Sequence, residues 1–358
     1  MSDPQSARTE RLAHAAELRA AGALEDAAAA YRALVAADPL DAAAHHHLAG
    51  VLARLGDLAG AEGAYRRAME LAPQAWGTAR ALGVLLLRQG RYAEGFALFE
   101  ARHHLPQYAK PDLAFPEWRG EPLAGKRLLI WPEQGLGDQI QFARFARTAH
   151  EQGAQVTLLC WAPLARLFAD SLPAHVLAAQ GAVAFEDPDY WVMSMSLAAR
   201  FGASLETLPA KPYLVAPDGP AAPRRSGDGP RIGLMARGAP GGDATRALSE
   251  AAEAALRALP GQVIGLSPEE TGARDFADTA GVIAGLDLVI AVDTAVAHLA
   301  GAMGKPCWVL LSAEPDWRWL DRRTDSPWYP SVRLYRQPSA GDWDSVVAGV
   351  RADLAAVR

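Results

Sequence analysis

Two polar motifs stand directly after apolar runs in the C-terminal half of the chain, and both have residue types that do chemistry. The motif GLGD at 135–138 follows the run RLLIW, and DTAVAH at 293–298 follows LDLVIAV. An aspartate beside a cleft acts as a general base on a hydroxyl when burial raises its pKa towards neutrality. The first amides of a helix bind phosphate groups. The motifs therefore predict a base, Asp138, and an anion site that begins at Asp293.

Each motif also has an ordinary structural explanation. Asp and Thr are common residues at helix N-caps. Asp138 and Thr294 would then only cap the helices that follow them, and His298, one turn into its helix, would be a core histidine with satisfied hydrogen bonds. The residue types alone leave these alternatives open.

The elements around the motifs alternate between strand and helix, as in a parallel α/β fold. The predicted strands cover 127–131, 155–160, 182–185, 190–194, 231–236, 262–266, 286–292 and 306–311, and helices are predicted at 139–152 and 249–259. A Pro- and Gly-rich break at 217–230 predicts a hinge between one lobe at 126–216 and a second at 231–358 that ends in a C-terminal helix. Ligands bind at the carboxyl edges of such sheets, so we expect both motifs to face one cleft.

Further side chains are expected at the same edges. The turn before Asp138 brings Gln134, Gly135 and Gly137 to the cleft, and the loop LSAEPDWRWL at 311–320 follows the last predicted strand. Its Trp317 and Trp319 have faces that stack on a base or a sugar, and Arg318 or Arg246 would balance a diphosphate. The two tryptophans suit a loop that caps the core equally well.

The first third of the chain repeats with a period of 34 residues. The positions in register are Gly22, Gly56 and Gly90, then Tyr31, Tyr65 and Phe99, then Pro39 and Pro73. This predicts three pairs of amphipathic helices at 1–108, followed by a linker at 109–125. Stacked pairs offer a concave groove to a peptide or helix, although a spacer or a dimerisation element has the same pattern. The run His45 to His47 cannot share one helical face, which favours a polar patch over a metal site.

Composition narrows the class of protein. The 358 residues are 50% hydrophobic and 21% charged, with a net charge of -6 and a pI near 5.9. This balance argues against a general binder of nucleic acid or anionic membrane. The N-terminus lacks the apolar core of a signal peptide, and no run of about eighteen apolar residues occurs. Cys160 and Cys307 lie in predicted buried strands, so the sequence predicts a cytoplasmic protein without a membrane span, disulfide or metal.

Longer motifs carry a resemblance to a known family. They are PEQGLGDQIQFARF at 132–145, DFADTAGVIAGLDLVIAVDTAVAHLAGAMGKPCWVLL at 275–311 and PDWRWLDRRTDSPWYPSVRLYRQP at 315–338. From Trp131 onwards the chain resembles the glycosyltransferase domain found behind tetratricopeptide repeats in bacterial proteins. It is similar to the heptosyltransferase family and, more distantly, to the protein O-GlcNAc transferases. The resemblance implies an α plus α/β architecture, in which a tetratricopeptide-repeat α-solenoid precedes a GT-B fold of two Rossmann-like lobes.

The resemblance also implies roles for residues. The first lobe would bind the acceptor and the second the nucleotide-sugar. Asp138 matches the aspartate proposed as base in heptosyltransferases, while Asp293, Thr294 and His298 match the donor-phosphate motif. The amides from Thr294 through Ala295 to Val296 would face the phosphate. The charged H-x-N-D-R-like stretch of the relatives is replaced here by MARGAPGGD at 235–243, which leaves Arg246 as the cationic counterpart.

Together these observations predict an inverting, metal-independent transfer of a sugar from a nucleotide-sugar, itself a substrate and not a cofactor, to a hydroxyl. The expected acceptor is a Ser or Thr of a protein such as flagellin, recruited by the repeats. The alternative is a non-catalytic repeat scaffold whose transferase-like domain only binds a nucleotide or a partner. The changed stretch at 235–246 favours the scaffold, and the intact motifs favour the enzyme.

Overall fold

The computed structural model describes residues 4–218, 222, 227–239, 241 and 243–356, and half of the predicted hinge at 217–230 lies outside these ranges. The chain divides into two compact units, Met1–Pro111 and Asp112–Arg358. The second unit begins at Asp112 and includes 112–125 of the predicted linker. Trp118 and Leu123 are buried in this unit, and Glu117 next to Trp118 forms an isolated parallel bridge with Trp191. No helix in the described ranges is both long and apolar enough to cross a bilayer.

The first unit is a series of three helix pairs. Its helices are α1 (Pro4–Ala20), α2 (Leu24–Ala37), α3 (Ala42–Arg54), α4 (Leu58–Leu71), α5 (Trp76–Arg88) and α6 (Tyr92–Phe99). The glycines of the 34-residue period lie between the two helices of each pair, where Gly22, Gly56 and Gly90 have φ of +80°, +82° and +79°. Residues with a Cβ disfavour this backbone conformation, so the repeat of glycine follows from the repeat of the turn.

The aromatic residues of the period explain how the pairs stack. Tyr31, Tyr65 and Phe99 lie on the second helix of each pair, and all three are buried in the core of the unit. The histidine run is half-buried on α3, where His46 Nδ1 lies 3.0 Å from Thr78 Oγ1 and the His47 ring lies 5.6 Å from that of Tyr31. These side chains therefore contribute to packing between repeats.

The second unit begins with a lobe built on a four-stranded parallel sheet. Its elements are β1 (Arg127–Trp131), α7 (Leu136–Glu151), β2 (Gln155–Cys160), α8 (Ala165–Ser171), β3 (His175–Ala178), β4 (Tyr190–Met193) and α9 (Leu197–Arg200). The strand order is β3-β2-β1-β4. The strand predicted at 182–185 is wrong: His175–Ala178 occupies the edge beside β2, in register from Thr157 and His175 to Cys160 and Ala178.

The second lobe is built on a five-stranded parallel sheet. Its elements are β5 (Arg231–Met235), α10 (Glu250–Arg257), β6 (Gln262–Gly265), α11 (Pro268–Thr271), α12 (Phe276–Ala284), β7 (Leu288–Val292), α13 (Ala295–Ala302), β8 (Cys307–Leu311), β9 (Val332–Arg336) and α14 (Trp343–Ala356). The strand order is β6-β5-β7-β8-β9. Every residue of β7 and β8 is buried, because helices cover both faces of a parallel sheet. This burial accounts for the uninterrupted apolar runs in the sequence.

Helix α7 begins at Leu136, three residues before its predicted start. Gly135 occupies the N-cap position with an extended backbone, and Asp138 lies at the third helical position instead of the cap. Its Oδ2 accepts a hydrogen bond of 2.9 Å from the amide of Gly135, which is the side-chain contact of a capping box. Gly137 allows a close approach to α13, since a Cβ there would lie 2.9 Å from His298 Cδ2.

Buried and half-buried arginines join the two lobes of the second unit. Arg144 of α7 is 2% exposed and donates from Nη1 to the carbonyl of Trp328 at 2.9 Å. Arg166 of α8 donates to both Asp275 and Asp278 at the start of α12. A guanidinium keeps its charge when buried and therefore needs an acceptor. Both arginines find acceptors on the opposite lobe, so these contacts attach the lobes to each other.

Candidate functional site

The carboxyl edges of the two sheets enclose a polar cavity of about 250 Å³. Its lining comes from both lobes: Gln134, Gly137 and Asp138 from the first, and Arg246, Asp293, Thr294, Ala295, His298, Asp316 and Arg318 from the second. The structure thus brings most of the predicted site residues together. Gly135, Val296 and Trp317 do not line the cavity, although Gly135 contacts the Asp138 side chain.

Both carboxylate oxygens of Asp138 accept hydrogen bonds. Arg318 Nη2 donates to Oδ1 across the boundary between the lobes, and the Gly135 amide donates to Oδ2 at 2.9 Å. The side chain is partly exposed, at 20%. Asp138 therefore reaches the cavity, where a cation of the second lobe holds it.

Arg318 is held rigidly from several sides. It is 6% exposed, its Nη1 donates to Asp316 Oδ1 at 2.7 Å, and its Nε donates to Gln141 Oε1 at 2.5 Å. Burial alone would lower the pKa of Arg318, but the charges of Asp316 and Asp138 outweigh burial and raise it above its ordinary value. Arg318 is thus a fixed cation between carboxylates of the two lobes.

Asp293 follows β7 and is 8% exposed. Its pKa is raised to about 6, chiefly by burial and also by the charge of Asp316, while Arg246 opposes the shift. Arg246 Nη1 lies 3.2 Å from Asp293 Oδ2, while Arg246 Nε lies 3.4 Å from Asp243 Oδ2. Asp293 and Arg246 therefore form an ion pair on the second-lobe side of the cavity, and its strength depends on pH.

His298 is fixed on three sides. Its ring stacks on Trp319 with centroids 5.3 Å apart, its Cδ2 lies against Gly137, and its Nδ1 lies 2.9 Å from the Tyr329 hydroxyl. Burial lowers the pKa of His298 to about 3, and the charge of Arg318 acts in the same direction. The imidazole is therefore neutral at physiological pH.

The start of α13 supplies backbone donors. Thr294 occupies the N-cap with an extended backbone, but its hydroxyl donates to the Val292 carbonyl at 3.2 Å and does not cap the helix. The amides of Ala295 and Val296 belong to the first turn, where helical amides lack an acceptor within their own helix. Ala295 lines the cavity, so this end of the helix borders it.

The two tryptophans of the 311–320 loop are buried and are not placed to stack on a ligand. Trp317 is 5% exposed and Trp319 is fully buried. Trp317 packs edge-on against Trp328, and Trp319 packs on the His298 ring. This corrects the expectation that they offer a face to a base or sugar, because Trp317 packs against Trp328 and the Arg318 guanidinium, and Trp319 packs on His298.

Three residues of the site were not singled out from the sequence. Asp316 holds Arg318, and Gln141 accepts from the same guanidinium. Tyr329 bonds His298 from 31 residues away along the chain. Asp316 precedes a short turn that it caps, which is a readable signal, whereas the contacts of Gln141 and Tyr329 arise only in the fold.

Within the part of the chain that the structure describes, no three side chains of His, Cys, Asp or Glu are arranged as a metal ligand set. The charged groups of the cavity are instead arranged as ion pairs. Two arginines stand beside three aspartates: Arg246 with Asp293, and Arg318 with Asp138 and Asp316.

Comparison with known families gives a match within the second lobe. The model described as glycosyltransferase family 9 (heptosyltransferase) matches residues 247–324. This part of the second lobe is therefore similar to heptosyltransferases. The matched stretch holds Asp293, His298 and Arg318 of the cavity, and the match confirms the resemblance predicted from the sequence.

A curated relative and solved structures extend the comparison. Protein FlbA of Caulobacter vibrioides is 28% identical over 326 residues, which cover 76% of this chain and 54% of FlbA. The chain thus spans about half the length of this relative. The secretion translocator chaperone SycD of Yersinia enterocolitica is similar at 18% identity, over 30% of this chain and 77% of SycD, with a TM-score of 0.28. The TPR2B domain of yeast Sti1 is similar at 18% identity, over 28% of this chain and 85% of that domain, with a TM-score of 0.27.

The predicted fold class is confirmed. The first unit has the paired helices of a tetratricopeptide-repeat solenoid, and the second has two parallel sheets with helices, as in a two-lobed GT-B fold. The cavity lies at the carboxyl edges of both sheets, where open α/β folds bind ligands.

Proposed function

We propose that this chain is an inverting, metal-independent glycosyltransferase that moves a sugar from a nucleotide-sugar to a hydroxyl group. The observation that carries the proposal is the composition of the cavity. A carboxylate of the first lobe, Asp138, faces Arg246 and the start of α13 from the second lobe. A base on one side and phosphate-binding groups on the other are the two requirements of this reaction.

In the proposed reaction, Asp138 takes the proton of the acceptor hydroxyl as its oxygen attacks the anomeric carbon. The bond between that carbon and the donor phosphate breaks, and the electron pair leaves with the nucleotide. Arg246 and the amides of Ala295 and Val296 would stabilise the charge that develops on the leaving phosphate. A single displacement of this kind inverts the configuration at the anomeric carbon.

The contact between Arg318 and Asp138 sets a condition on this reaction. The guanidinium takes up part of the Asp138 carboxylate, so its release would leave more of the group's lone pairs open to a substrate hydroxyl. A donor diphosphate is an alternative partner for the Arg318 guanidinium, because guanidinium groups bind phosphate well. In this scheme donor binding precedes activation of the acceptor.

For the acceptor we propose a Ser or Thr of a protein that the helical repeats recruit in the cytoplasm, with flagellin as the first candidate. Stacked helix pairs present a surface suited to a peptide or helix. Recruitment by a linked unit would raise the effective concentration of the acceptor at the cavity.

A screen of the purified protein tests the proposal. Thermal unfolding would be followed with ADP-, GDP-, UDP- and CMP-linked sugars and with the free nucleotides, since a ligand of the native state raises the melting temperature. Nucleotide release from the stabilising donor would then be measured without and with flagellin. We expect one nucleotide class to stabilise the protein and the acceptor to accelerate release. A protein that no donor stabilises would contradict the proposal.

The engagement of both Asp138 oxygens also supports a second candidate, a repeat scaffold that binds a nucleotide without transferring sugar. The same screen separates the two. A scaffold would be stabilised by a nucleotide as strongly as by its sugar-linked form, and it would release no nucleotide from the donor with any acceptor.

A further inference from the structure

Trp161 lies at the surface of the first lobe, directly after β2. It is 38% exposed, the largest exposed fraction among the ten tryptophans of the chain. Within the described ranges no aromatic ring and no guanidinium stacks on its indole. A single exposed apolar side chain is ordinary at a protein surface, so the position of this one decides its meaning.

Three hydrogen bonds of Trp161 fix the position of the ring. Its backbone amide donates to Oε1 of the buried Gln139 at 2.9 Å, and its indole Nε1 donates to the carbonyl of Gln134 at 2.9 Å. Its own carbonyl accepts from the amide of Leu164 at 2.9 Å. Because the backbone and the polar edge of the indole are both held, the side chain loses little freedom when a ligand packs on it.

These bonds join Trp161 to the side of the cavity that contains Asp138. Gln134 lines the cavity together with Asp138, and Gln139 follows Asp138 on α7. The strands β1 and β2 are parallel neighbours, so the segments that follow them emerge at the same edge of the sheet. Trp161 does not itself line the cavity, and its hydrogen-bond partners all belong to the first lobe. The ring therefore stands next to the space in which the acceptor hydroxyl would react.

The backbone of Gln134 is unusual. Its φ of +59° lies in the left-handed region, which a residue with a Cβ disfavours. The Gln134 carbonyl is held by the Trp161 indole, and the preceding Glu133 accepts through Oε1 from the amide of Met195 at 2.7 Å. Such conformations persist where surrounding contacts hold them, and they cluster at ligand sites. The contact that positions Trp161 thus belongs to a constrained loop of the cavity.

We propose that Trp161 contacts the acceptor polypeptide and binds an apolar or aromatic side chain next to the reacting Ser or Thr. The indole N–H is already used, so the ring offers a ligand only its apolar surface. Aromatic rings pack on such side chains in offset or edge-on arrangements. Helical repeats recruit polypeptides, which favours a side chain over a glycan as the occupant. The inference rests on the proposed function and adds to it what the acceptor carries beside its hydroxyl.

Transfer kinetics test the contact, with flagellin as the acceptor and the stabilising nucleotide-sugar as the donor. We expect Trp161→Ala to raise the KM for flagellin about tenfold, as for the loss of one aromatic contact, and to leave the affinity for the nucleotide-sugar unchanged. The matched control is Leu205→Ala, in the same lobe and 37% exposed, which should keep the wild-type KM. Weakening of the donor to the same extent in Trp161→Ala would show that Trp161 supports the whole site, and it would overturn the inference.

A conservative variant separates stacking from support of the loop. Trp161→Phe keeps an aromatic ring but loses the indole bond to the Gln134 carbonyl. We expect its KM for flagellin to stay within about threefold of the wild type, because the apolar surface is largely retained. A KM as high as that of Trp161→Ala would show that Trp161 acts through Gln134 and does not contact the acceptor.

Fluorine NMR tests the chemistry of the occupant without any transfer reaction. Protein labelled with fluorotryptophan would be titrated with two five-residue peptides, one with a serine between two phenylalanines and one with a serine between two glycines. The Trp161 signal is identified by its absence in Trp161→Phe. We expect the phenylalanine peptide to shift this signal and the glycine peptide to leave it in place. A signal that a methyl glycoside shifts and neither peptide does would assign the ring to a sugar and overturn the inference.

The outcomes separate this inference from the proposed function. Sugar transfer with a wild-type KM in Trp161→Ala would overturn the acceptor contact while the proposed function stands. A wild type that binds no nucleotide-sugar would overturn the proposed function and, with it, the acceptor contact.

Discussion

Arg318 of the second lobe donates a hydrogen bond to Asp138 of the first, and Asp316 and Gln141 hold the same guanidinium from behind. The group assigned as the base is therefore paired with a cation that cannot move without breaking contacts of its own. Under the proposed function this pairing would connect lobe attachment with chemistry, since Arg318 links the lobes and occupies part of the carboxylate that would meet the acceptor.

We expect Arg318→Gln to destabilise the protein by about 3 kcal/mol, because it leaves the carboxylates of Asp138 and Asp316 without their cation. Urea unfolding would measure the loss. In a double-mutant cycle with Asp138→Asn, a coupling energy of about 1 kcal/mol or more is expected. Arg323→Gln is the control, since Arg323 pairs with a largely exposed Asp325 and should cost less than about 1 kcal/mol. Equal losses of stability in Arg318→Gln and Arg323→Gln would show that the buried ion pair stabilises the protein no more than the exposed one.

Asp138→Asn should abolish sugar transfer, with a loss of about 10²- to 10⁴-fold in the rate, as expected for a general base. Nucleotide binding should persist, since the phosphate-binding groups lie on the second lobe. Asp170→Asn, an exposed carboxylate on α8 of the same lobe, is the matched control and should transfer normally. Retention of full transfer by Asp138→Asn would remove Asp138 from the mechanism.

Gly137→Ala should weaken nucleotide-sugar binding at least tenfold and destabilise the protein by about 1–3 kcal/mol, as overpacking does. The new Cβ would lie 2.9 Å from His298 Cδ2, so either the imidazole or α7 must move. Gly349→Ala on α14 is the control, since its Cβ meets the Tyr335 ring at an ordinary 3.5 Å. Calorimetric titration and thermal melts measure both effects. Wild-type affinity in Gly137→Ala would mean that the ring position does not matter for binding.

Gly56→Ala should destabilise the repeat unit by about 1 kcal/mol, because alanine disfavours a φ of +82°. The added methyl group meets no atom within 4 Å, so the effect would come from the backbone alone. Gly63→Ala, inside α4 and equally free of contacts, should instead stabilise by about 0.5–1 kcal/mol. A lower melting temperature in Gly56→Ala and a higher one in Gly63→Ala would confirm the turn geometry. A higher melting temperature in both variants would contradict it.

Stability should depend on pH through Asp278, which is fully buried. Hydrogen bonds from Arg274 lower its pKa well below the ordinary value, burial opposes the shift, and Arg166 adds to the lowering. A lowered folded-state pKa means that Asp278 stabilises the protein above pH 4 and that the contribution disappears as the pH falls further. Between pH 6 and pH 3, the free energy of unfolding should fall less steeply in Asp278→Asn than in the wild type. The control is Asp344→Asn, at an exposed position on α14, which should keep the wild-type dependence of the free energy of unfolding on pH. The same dependence in Asp278→Asn would show that Asp278 does not cause the loss of stability at low pH.

Much of the fold could be predicted from local sequence patterns, because interactions between neighbouring residues determine it. The runs that became β7 and β8 are apolar throughout because both faces of their sheet are covered. The 34-residue spacing of Gly22, Gly56 and Gly90 reflects a backbone conformation that recurs in each helix pair. Such features need no knowledge of distant contacts.

The errors arose where tertiary packing decided between local options. The stretch 182–185 is as apolar as a strand, but His175–Ala178 takes the edge beside β2. Helix α7 starts at Leu136 and contains Gly137, a poor helix former, since close packing on His298 requires a residue without a side chain. Neither outcome has a signature in neighbouring residues.

The candidate site shows the same division. The positions of Asp138 and Asp293 follow from their places after strands. The ion pair of Arg318 with Asp138 joins residues 180 apart in sequence, and the contact of His298 with Tyr329 joins two further segments. Such pairings are properties of the assembled lobes.

Arg144 has a consequence for how this protein can be recombined. It belongs to α7 of the first lobe, but its guanidinium donates to the Trp328 carbonyl and stacks over the rings of Trp328 and Tyr329 in the second. A hybrid that joined this first lobe to the second lobe of a relative would bury a cation opposite a foreign surface. The two lobes are therefore not interchangeable modules, and a working chimera must transfer α7 together with the segment at 328–329.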